Sequence, residues 1–460
     1  MKGELNTIKR IHLVGIGGVG MTALALLLRD RGFTVSGSDI KESRNTKMLK
    51  EKSFLVHIGH RKENIHDAQL LCYSSAIKED NVEILEATNK GIKVVKRAEL
   101  LSWISWDDKN IVISGSHGKT TTSALAAFVL TSLGYNPNVF IGGVALDFGK
   151  SAWSGDGLFV IEADESDGSF LCYNSWVSVV TNIDYEHLDY YKDFGSLLDS
   201  FHKFILKAKS LAIGWGDDSN VVSLMRGIPS CLCGLGKHND VRGENIRLFR
   251  NLTVFDFYFK DRKFSNIELS LVGEHNVLNA LAVIALCGHL GIDIDKVIPL
   301  LKRFKGTYRR FQIKANVGGV SFVDDYAHHP REIEVTLKAA KQFFKRRLVV
   351  VFQPHRYSRV KLLYKKFAQC FYFCDYLIVT DIYAAGEPLE GNISGELLAA
   401  EIKNSFKNTV YIPKEELPKK VSFLLQEGDV VIGLGAGDIN IVMDSIVKEF
   451  LLKEKYNIKV

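Results

Sequence analysis

Residues 111–122 read Ile-Val-Ile-Ser-Gly-Ser-His-Gly-Lys-Thr-Thr-Thr. Three apolar residues run into a turn that ends Gly118-Lys119-Thr120, and a helix-forming stretch, Ser123 to Leu133, follows. A loop that cradles phosphate needs that order. A buried strand delivers it, glycines let backbone N–H groups approach phosphate oxygens, the lysine brings a mobile positive charge, and the threonine hydroxyl can hold Mg²⁺ at the helix N-terminus. The general pattern asks for a glycine where Ile113 stands; the nearest earlier glycine is Gly115, so this loop is short. Read this way, the chain handles a nucleoside triphosphate. Otherwise the stretch is an ordinary strand-to-helix turn with an exposed lysine.

Outward from this loop, strand and helix patterns alternate over the whole chain, which predicts α/β domains built on parallel sheets. Strands are expected at 11–15, 34–37, 70–73 and 92–95, then at 111–113, 158–161 and 177–181. A β-rich stretch follows at 246–271, then helices at 277–288 and 297–304, and strands at 320–323, 348–352, 376–380 and 429–433. A length of 460 residues suggests three domains. Their expected bounds are 1–107, 108–308 and 309–460: a Rossmann-like first domain, a central ATPase domain of P-loop type and a Rossmann-like last domain.

The composition, 46% hydrophobic and 24% charged, is that of a soluble globular protein. The net charge of +6 is spread along the chain, with short clusters such as Lys345-Arg346-Arg347. It suits small anionic substrates and gives no case for nucleic acid. No apolar run approaches the ~20 residues of a membrane span. The polar start, Met1 to Arg10, leads straight into a strand, so no signal peptide is expected. The seven cysteines include the close pairs Cys231/Cys233 and Cys370/Cys374 but no four-ligand zinc spacing. They are expected to be reduced, mostly buried thiols in a cytoplasmic protein.

A second glycine loop, Gly15-Ile-Gly17-Gly18-Val-Gly20, lies between a strand and a helix, and Asp39 ends the next strand. The glycines permit a tight turn and close approach of a pyrophosphate, and Asp39 can bind ribose hydroxyls. A nicotinamide dinucleotide and a UDP-linked compound satisfy this loop equally. Two phosphate-type loops in one chain suggest one nucleotide as substrate and another as fuel, rather than a plain dehydrogenase.

Glu162-Ala-Asp164-Glu165-Ser166-Asp167 follows a buried strand. Four acids at a strand end are costly to crowd unless cations neutralise them, and Mg²⁺ takes such oxygen ligands. A second cluster, Asn182-Ile-Asp184-Tyr-Glu186-His187-Leu-Asp189, ends the next strand. Both can lie along the sheet edge where ligands gather in open α/β folds. Solvated acidic loops are the plain alternative.

Together these residues resemble the Mur ligases of peptidoglycan synthesis. Gly15 to Met21, Gly115 to Thr122 and Glu162 to Asp167 carry the likeness, with Gly273-Glu-His-Asn-Val-Leu-Asn279 and Asp324-Asp-Tyr-Ala-His-His-Pro330. Phe352-Gln-Pro-His-Arg-Tyr-Ser-Arg359, Asp381 to Glu387 and Gly435 to Ile439 extend it in order over nearly the whole chain. The resemblance implies ATP bound by Gly115, Ser116, His117, Gly118, Lys119, Thr120 and Thr121, with Asn276 and Asn279 at the adenine. It implies one Mg²⁺ shared by Thr120 and Glu162 and a second Mg²⁺ on His187. It places UDP-N-acetylmuramate on Gly15, Gly17, Gly18, Gly20 and Asp39. It makes Arg309-Arg310-Phe311 the hinge into the third domain, and His355, Arg356 and Arg359 the clamp on the amino acid and the acyl phosphate. Ser116, Glu186 and Ala327 stand where the family usually has threonine, aspartate and glycine.

The implied reaction activates the lactyl carboxylate as an acyl phosphate, with Lys119 and Mg²⁺ stabilising the transferring phosphoryl group. Closure of the third domain then shields the intermediate and brings in L-alanine. The base for the amine is open between Asp325 and His328. No membrane and no nucleic acid is expected, and the chain is expected to be a monomer or a weak homodimer. Competing readings are a ligase attaching a whole tripeptide to the same sugar nucleotide, an NAD-dependent oxidoreductase, and a nucleotide-binding regulator without chemistry.

Overall fold

The computed structural model describes residues 5, 7–106, 108–186, 190–249, 252–389 and 392–456. The chain forms two compact units. One comprises residues 1–246, 255–269 and 276–305, the other residues 247–254, 270–275 and 306–460. The first carries a five-stranded sheet and nearly all of a ten-stranded sheet; the second carries a six-stranded sheet.

The five-stranded sheet is parallel, with β1 (Arg10–Val14), β2 (Thr34–Asp39), β3 (Leu55–Ile58), β4 (Leu70–Tyr73) and β5 (Lys93–Lys96) in the order β3-β2-β1-β4-β5. The chain reverses its direction of winding at β1. A crevice therefore opens beyond the carboxyl end of β1, and the first glycine loop occupies it. Helices cover the sheet, and β1 is buried from Ile11 onward, which is why it reads as a nearly unbroken apolar run.

The ten-stranded sheet repeats the device around β6 (Lys109–Ser114). Its later strands are β7 (Asn138–Ala145), β8 (Lys150–Trp153), β9 (Leu158–Glu162), β10 (Ser175–Val180), β11 (Leu211–Trp215), β12 (Ser230–Gly234), β13 (Val241–Phe249), β14 (Leu252–Phe259) and β15 (Arg262–Leu269). The order is β15-β14-β13-β12-β11-β10-β6-β9-β7-β8. Strands β10 and β9 flank β6 in parallel, so the phosphate loop after Ser114 also sits at a switch point. In this sheet the sequence reading missed β7, β8, β11 and β12, and in the five-stranded sheet it missed β3. Gly142 and Gly143 break the apolar pattern of β7, and β8 pairs antiparallel at the sheet edge.

Arg31, which caps the helix Val19–Asp30, stitches these two sheets together. Its guanidinium donates to the Ile104 carbonyl at 2.7 Å, to Asp108 at 3.2 Å and to the buried Asn138 amide oxygen at 2.7 Å. The same helix packs on β7 and β8.

The second unit contains β16 (Gln312–Val317), β17 (Val320–Asp325), β18 (Leu348–Phe352), β19 (Tyr376–Val379), β20 (Thr409–Tyr411) and β21 (Val430–Leu434), ordered β16-β17-β21-β18-β19-β20. Only β16 runs antiparallel to its neighbour. Leu348 to Phe352 is wholly buried, as its unbroken apolar run predicts. The seven cysteines are free, and five of them are buried. Among the described residues, no helix is long and apolar enough to cross a membrane.

Candidate active site

The phosphate loop is built on glycines that no other residue can replace. Gly115 has φ +132°, and a Cβ there would stand 2.1 Å from Thr181 Oγ1; Gly118 has φ +86°, and its Cβ would stand 2.5 Å from Asn279 Oδ1. The strand-end cluster after β10 braces the loop from below. Ser116 N donates to the Asn182 carbonyl at 2.9 Å, His117 N to Asn182 Oδ1 at 3.0 Å, and Thr181 Oγ1 to the His117 carbonyl at 2.6 Å. The Ser116 hydroxyl accepts from Asp184 N at 2.8 Å, and His117 Nε2 meets Asp184 at 2.8 Å. Gly118 starts the helix Lys119–Ser132 with no side-chain cap and no acid in the first turn. Its N-terminal amides and the positive end of its dipole are left for an anion. Thr121 is buried in that first turn.

Two of the four acids after β9 face this loop. Glu162 accepts from Thr120 Oγ1 at 2.7 Å and from Gly142 N at 2.5 Å. Glycine at 142 and 143 lets β7 come this close: a Cβ on Gly142 would lie 2.6 Å from the Glu162 carboxylate, and one on Gly143 2.9 Å from Thr120. Glu165 is fully buried and grips the Lys119 ammonium at 2.8 Å, while the Gly115 and Ser116 carbonyls accept from it at 2.5 and 3.2 Å. Burial alone lowers an ammonium pKa, but the Glu165, Asp164 and Glu162 charges outweigh it and hold Lys119 well above its ordinary value, hence charged. Asp164 and Asp167 cap turns, accepting from Ser166 N and Ser169 N at 3.0 Å each. A hydroxyl and a carboxylate side by side are hard oxygen donors that fit Mg²⁺. His187, expected to bind a second Mg²⁺, lies outside the described residues.

Asn276 and Asn279 are both buried. Asn279 Nδ2 donates to Asn276 Oδ1 at 3.0 Å, and Asn279 Oδ1 accepts from Thr122 at 2.9 Å. Asn279 therefore lies against Gly118, with Asn276 hydrogen-bonded behind it.

The first glycine loop is held in the same manner. Gly15 N and Ile16 N donate to the Ser38 carbonyl at 2.8 and 3.0 Å, and Gly17 N donates to Asp39 Oδ2 at 2.9 Å. Asp39, expected at a ribose, thus also fastens the loop's own backbone. Gly18 precedes the helix Val19–Asp30, whose first turn likewise lacks an acid and a side-chain cap.

The two loops open into one cavity of about 250 Å³, lined among others by Gly18, Gly20, Ser74, Arg97, Lys119 and Glu162. Sequence reasoning missed Arg97. Its guanidinium lies against Gly20, where a Cβ would approach it to 2.8 Å, and 5.7 Å from the Phe140 ring centroid. The available signal was its position just past β5, on the carboxyl edge that the glycine loop shares.

In the second unit, the structure gathers His328, His355 and Arg359. Their placement follows from β17 and β18, which end in Asp324-Asp325 and at Phe352. The His355 ring stacks on Tyr383 with centroids 5.7 Å apart, and His328 stands edge-on to it at 5.7 Å. Arg359 donates to His355 Nδ1 at 2.9 Å. Arg356, with φ +65° and an exposed side chain, precedes the helix Tyr357–Phe367. Asp325 is buried, and both its oxygens accept backbone N–H groups, from Phe311 at 2.7 Å and Ala327 at 2.8 Å. Arg309 pairs with the buried Asp324 at 3.3 Å and donates to the Gly435 and Gly437 carbonyls, pinning that turn. Burial pushes the Asp324 carboxyl up to about 6 against the pull of Arg309.

Comparison with known proteins agrees with this architecture. Three family profiles match in series: "Mur ligase family, catalytic domain" over residues 10–107, "Mur ligase middle domain" over 113–287 and "Mur ligase, glutamate ligase domain" over 309–437. A UDP-N-acetylmuramate–L-alanine ligase of Geobacter sulfurreducens is 42% identical, covering 94% of this chain and 96% of its own. One from a Sulfurihydrogenibium species is 40% identical over 97% and 99%. The solved UDP-N-acetylmuramate–alanine ligase of Thermotoga maritima superposes with a TM-score of 0.85 at 30% identity, covering 96% of this chain and 99% of its own. A murein peptide ligase of Psychrobacter arcticus shares the fold, with a TM-score of 0.71 at 22% identity over 96% and 98%. Three family profiles matched in series between residues 10 and 437, together with relatives about 40% identical over nearly the whole chain, place this chain in the Mur ligase family.

Proposed function

We infer that the protein joins L-alanine to the lactyl carboxylate of UDP-N-acetylmuramate, converting ATP to ADP and phosphate. The observation that carries this reading is the cavity shared by the two glycine loops, with Lys119 and Glu162 on its wall. A free carboxylate resists amide formation because oxide is a poor leaving group; phosphorylation replaces it with a good one. The N-terminal amides of the helix Val19–Asp30 and Arg97 hold the diphosphate of the sugar nucleotide. The loop 115–121 and the charged Lys119 hold the phosphates of ATP and stabilise the phosphoryl group in flight. Asn276 and Asn279 keep Gly118 and the start of its helix in place below the nucleotide. Thr120 and Glu162 would hold one Mg²⁺ and His187 a second, which when bound supply Lewis-acid stabilisation to the phosphate oxygens. His355, Arg356 and Arg359 take the carboxylate end of the amino acid. We place the reaction in the cytoplasm, where ATP and reduced thiols belong, and the working form as a monomer or a weak homodimer.

Phosphate release with ATP, UDP-N-acetylmuramate and each of L-alanine, glycine, L-serine and the cell-wall tripeptide tests the assignment. L-Alanine is expected to be preferred over its small analogues by about 1–3 kcal/mol, the worth of a methyl or hydroxyl in a fitted pocket. Faster turnover of the tripeptide, or release indifferent to any acceptor, would overturn it. Arg97→Ala should weaken UDP-N-acetylmuramate binding about tenfold or more, since a hydrogen bond to a charged group contributes roughly 1.5–3 kcal/mol, and should leave ATP affinity intact. Titration calorimetry with each nucleotide checks this, and equal losses for both would refute the role.

A further inference from the structure

We propose that His328 is the base that takes the proton from the attacking amine, and that His355 is locked in the opposite tautomer and offers the substrate only a donor. The proposal rests on the ligase reading above and deepens it.

The two rings carry opposite hydrogen-bond instructions. An arginine guanidinium has donors and no acceptor, so the contact of Arg359 Nη1 at 2.9 Å makes His355 Nδ1 an acceptor and puts the ring proton on Nε2. A backbone carbonyl only accepts, so the Tyr326 oxygen at 3.0 Å requires a proton on His328 Nδ1. The Glu332 carboxylate, 3.5 Å from the same nitrogen, demands the same. A neutral His328 ring then has a bare lone pair on Nε2, which takes no hydrogen bond among the described residues. Both rings are neutral near pH 7. Burial lowers His328 to about 4, with Arg359 and Arg310 adding to the effect and Glu332 opposing it. Burial lowers His355 to about 3, helped by His328, Arg359, Arg356 and Arg309.

Asp325 is the other candidate base, and its geometry disqualifies it. Both carboxylate oxygens already accept the N–H groups of Phe311 and Ala327. Protonating it would remove the charge that strengthens both of these backbone hydrogen bonds on either side of the turn.

An α-amino acid presents N–H donors at one end and a carboxylate at the other. The facing rings, with centroids 5.7 Å apart, present one acceptor at His328 and donors at His355 and Arg359, which matches that polarity. L-Alanine enters as the free amine, its first proton lost to water. The nitrogen forms the C–N bond at the acyl carbon while the C–O bond to phosphate breaks. The electron pair of that bond leaves on inorganic phosphate, and the second amine proton passes to His328 Nε2, then to water.

Two measurements test this. Long-range proton–nitrogen correlation spectra of the full chain with ¹⁵N-labelled histidine should show His328 protonated on Nδ1 and His355 on Nε2; His328 protonated on Nε2 would overturn the proposal. His328→Ala should slow ligation of L-alanine about 10²-fold or more. It should spare formation of the acyl phosphate, a step that moves no amine proton; borohydride reduction of the acyl phosphate to the alcohol, run without any amine, reads that step. Equal loss of this capture and of ligation would mean that His328 is structural and would end the proposal. A wild-type enzyme that gives no captured acyl phosphate with ATP and UDP-N-acetylmuramate would bring down the ligase reading itself.

Discussion

Lys119→Ala is expected to reduce ATP-dependent phosphate release by about 10²–10³-fold, the usual cost of removing one preorganised group from a developing charge, while UDP-N-acetylmuramate still binds. The ammonium is fixed at the mouth of the loop by Glu165 and by two loop carbonyls. Its loss has a second effect that must be separated from the first. Glu165 would remain fully buried with its cation gone, and breaking a buried pair costs about 3–5 kcal/mol. The double variant Lys119→Ala/Glu165→Gln removes that stranded charge. Thermal unfolding should recover in the double variant, and activity should not. Activity that returns together with stability would show that the lysine holds the loop and does no chemistry. The measurements are single-turnover phosphate release, calorimetric binding of the sugar nucleotide and Tm.

Glu83→Ala should destabilise the protein by about 3–5 kcal/mol, again by breaking a buried charged network. Glu83 opens the helix Val82–Asn89 and is wholly buried. It accepts from Ser38 at 2.5 Å and Asn64 at 2.6 Å, and meets His12 at 3.3 Å. Burial pushes its carboxyl up, but hydrogen bonds from His12, Ser38 and Asn64 prevail and bring it down to about 2 from an ordinary 4.5. A carboxyl depressed by folding stabilises the protein above its unfolded value and loses that contribution as pH falls through the folded one. Roughly 3 kcal/mol should therefore disappear between pH 4.5 and 2. Urea unfolding across that window should show the fall in the native protein and a flatter profile in Glu83→Gln. A native profile equally flat would remove Glu83 from the account. The network matters for binding because the Ser38 carbonyl holds Gly15 and Ile16.

The sequence made legible those features that depend on one short stretch. Strands such as β1, β6 and β18 are covered on both faces, so their apolar runs announce them, and each phosphate loop combines glycines with an adjacent helix start. What depends on distant partners stayed hidden. Nothing in Glu162 to Asp167 says that Glu162 meets Thr120, that Glu165 meets Lys119, or that Asp164 and Asp167 close turns; the fold of β9 against β6 decides it. Arg97 looks like an ordinary helix residue until β5 brings it to Gly20. Asn279 resembles a helix-capping residue until its carboxamide is seen under Gly118 and Thr122. Strand β7 was lost because the two glycines that admit Glu162 also erase its alternation.

Arg31 ties the helix behind the first glycine loop to Asn138 at the start of β7, four residues from the glycine that touches Glu162. Both cradles therefore belong to one compact unit, and the distance between them is a gauge built into it. A nucleotide whose acid group sits too near its diphosphate, or too far, falls short of or overruns the reactive phosphate even when each half is gripped well. Backbone callipers, set before any ligand arrives, thus measure the length of the substrate.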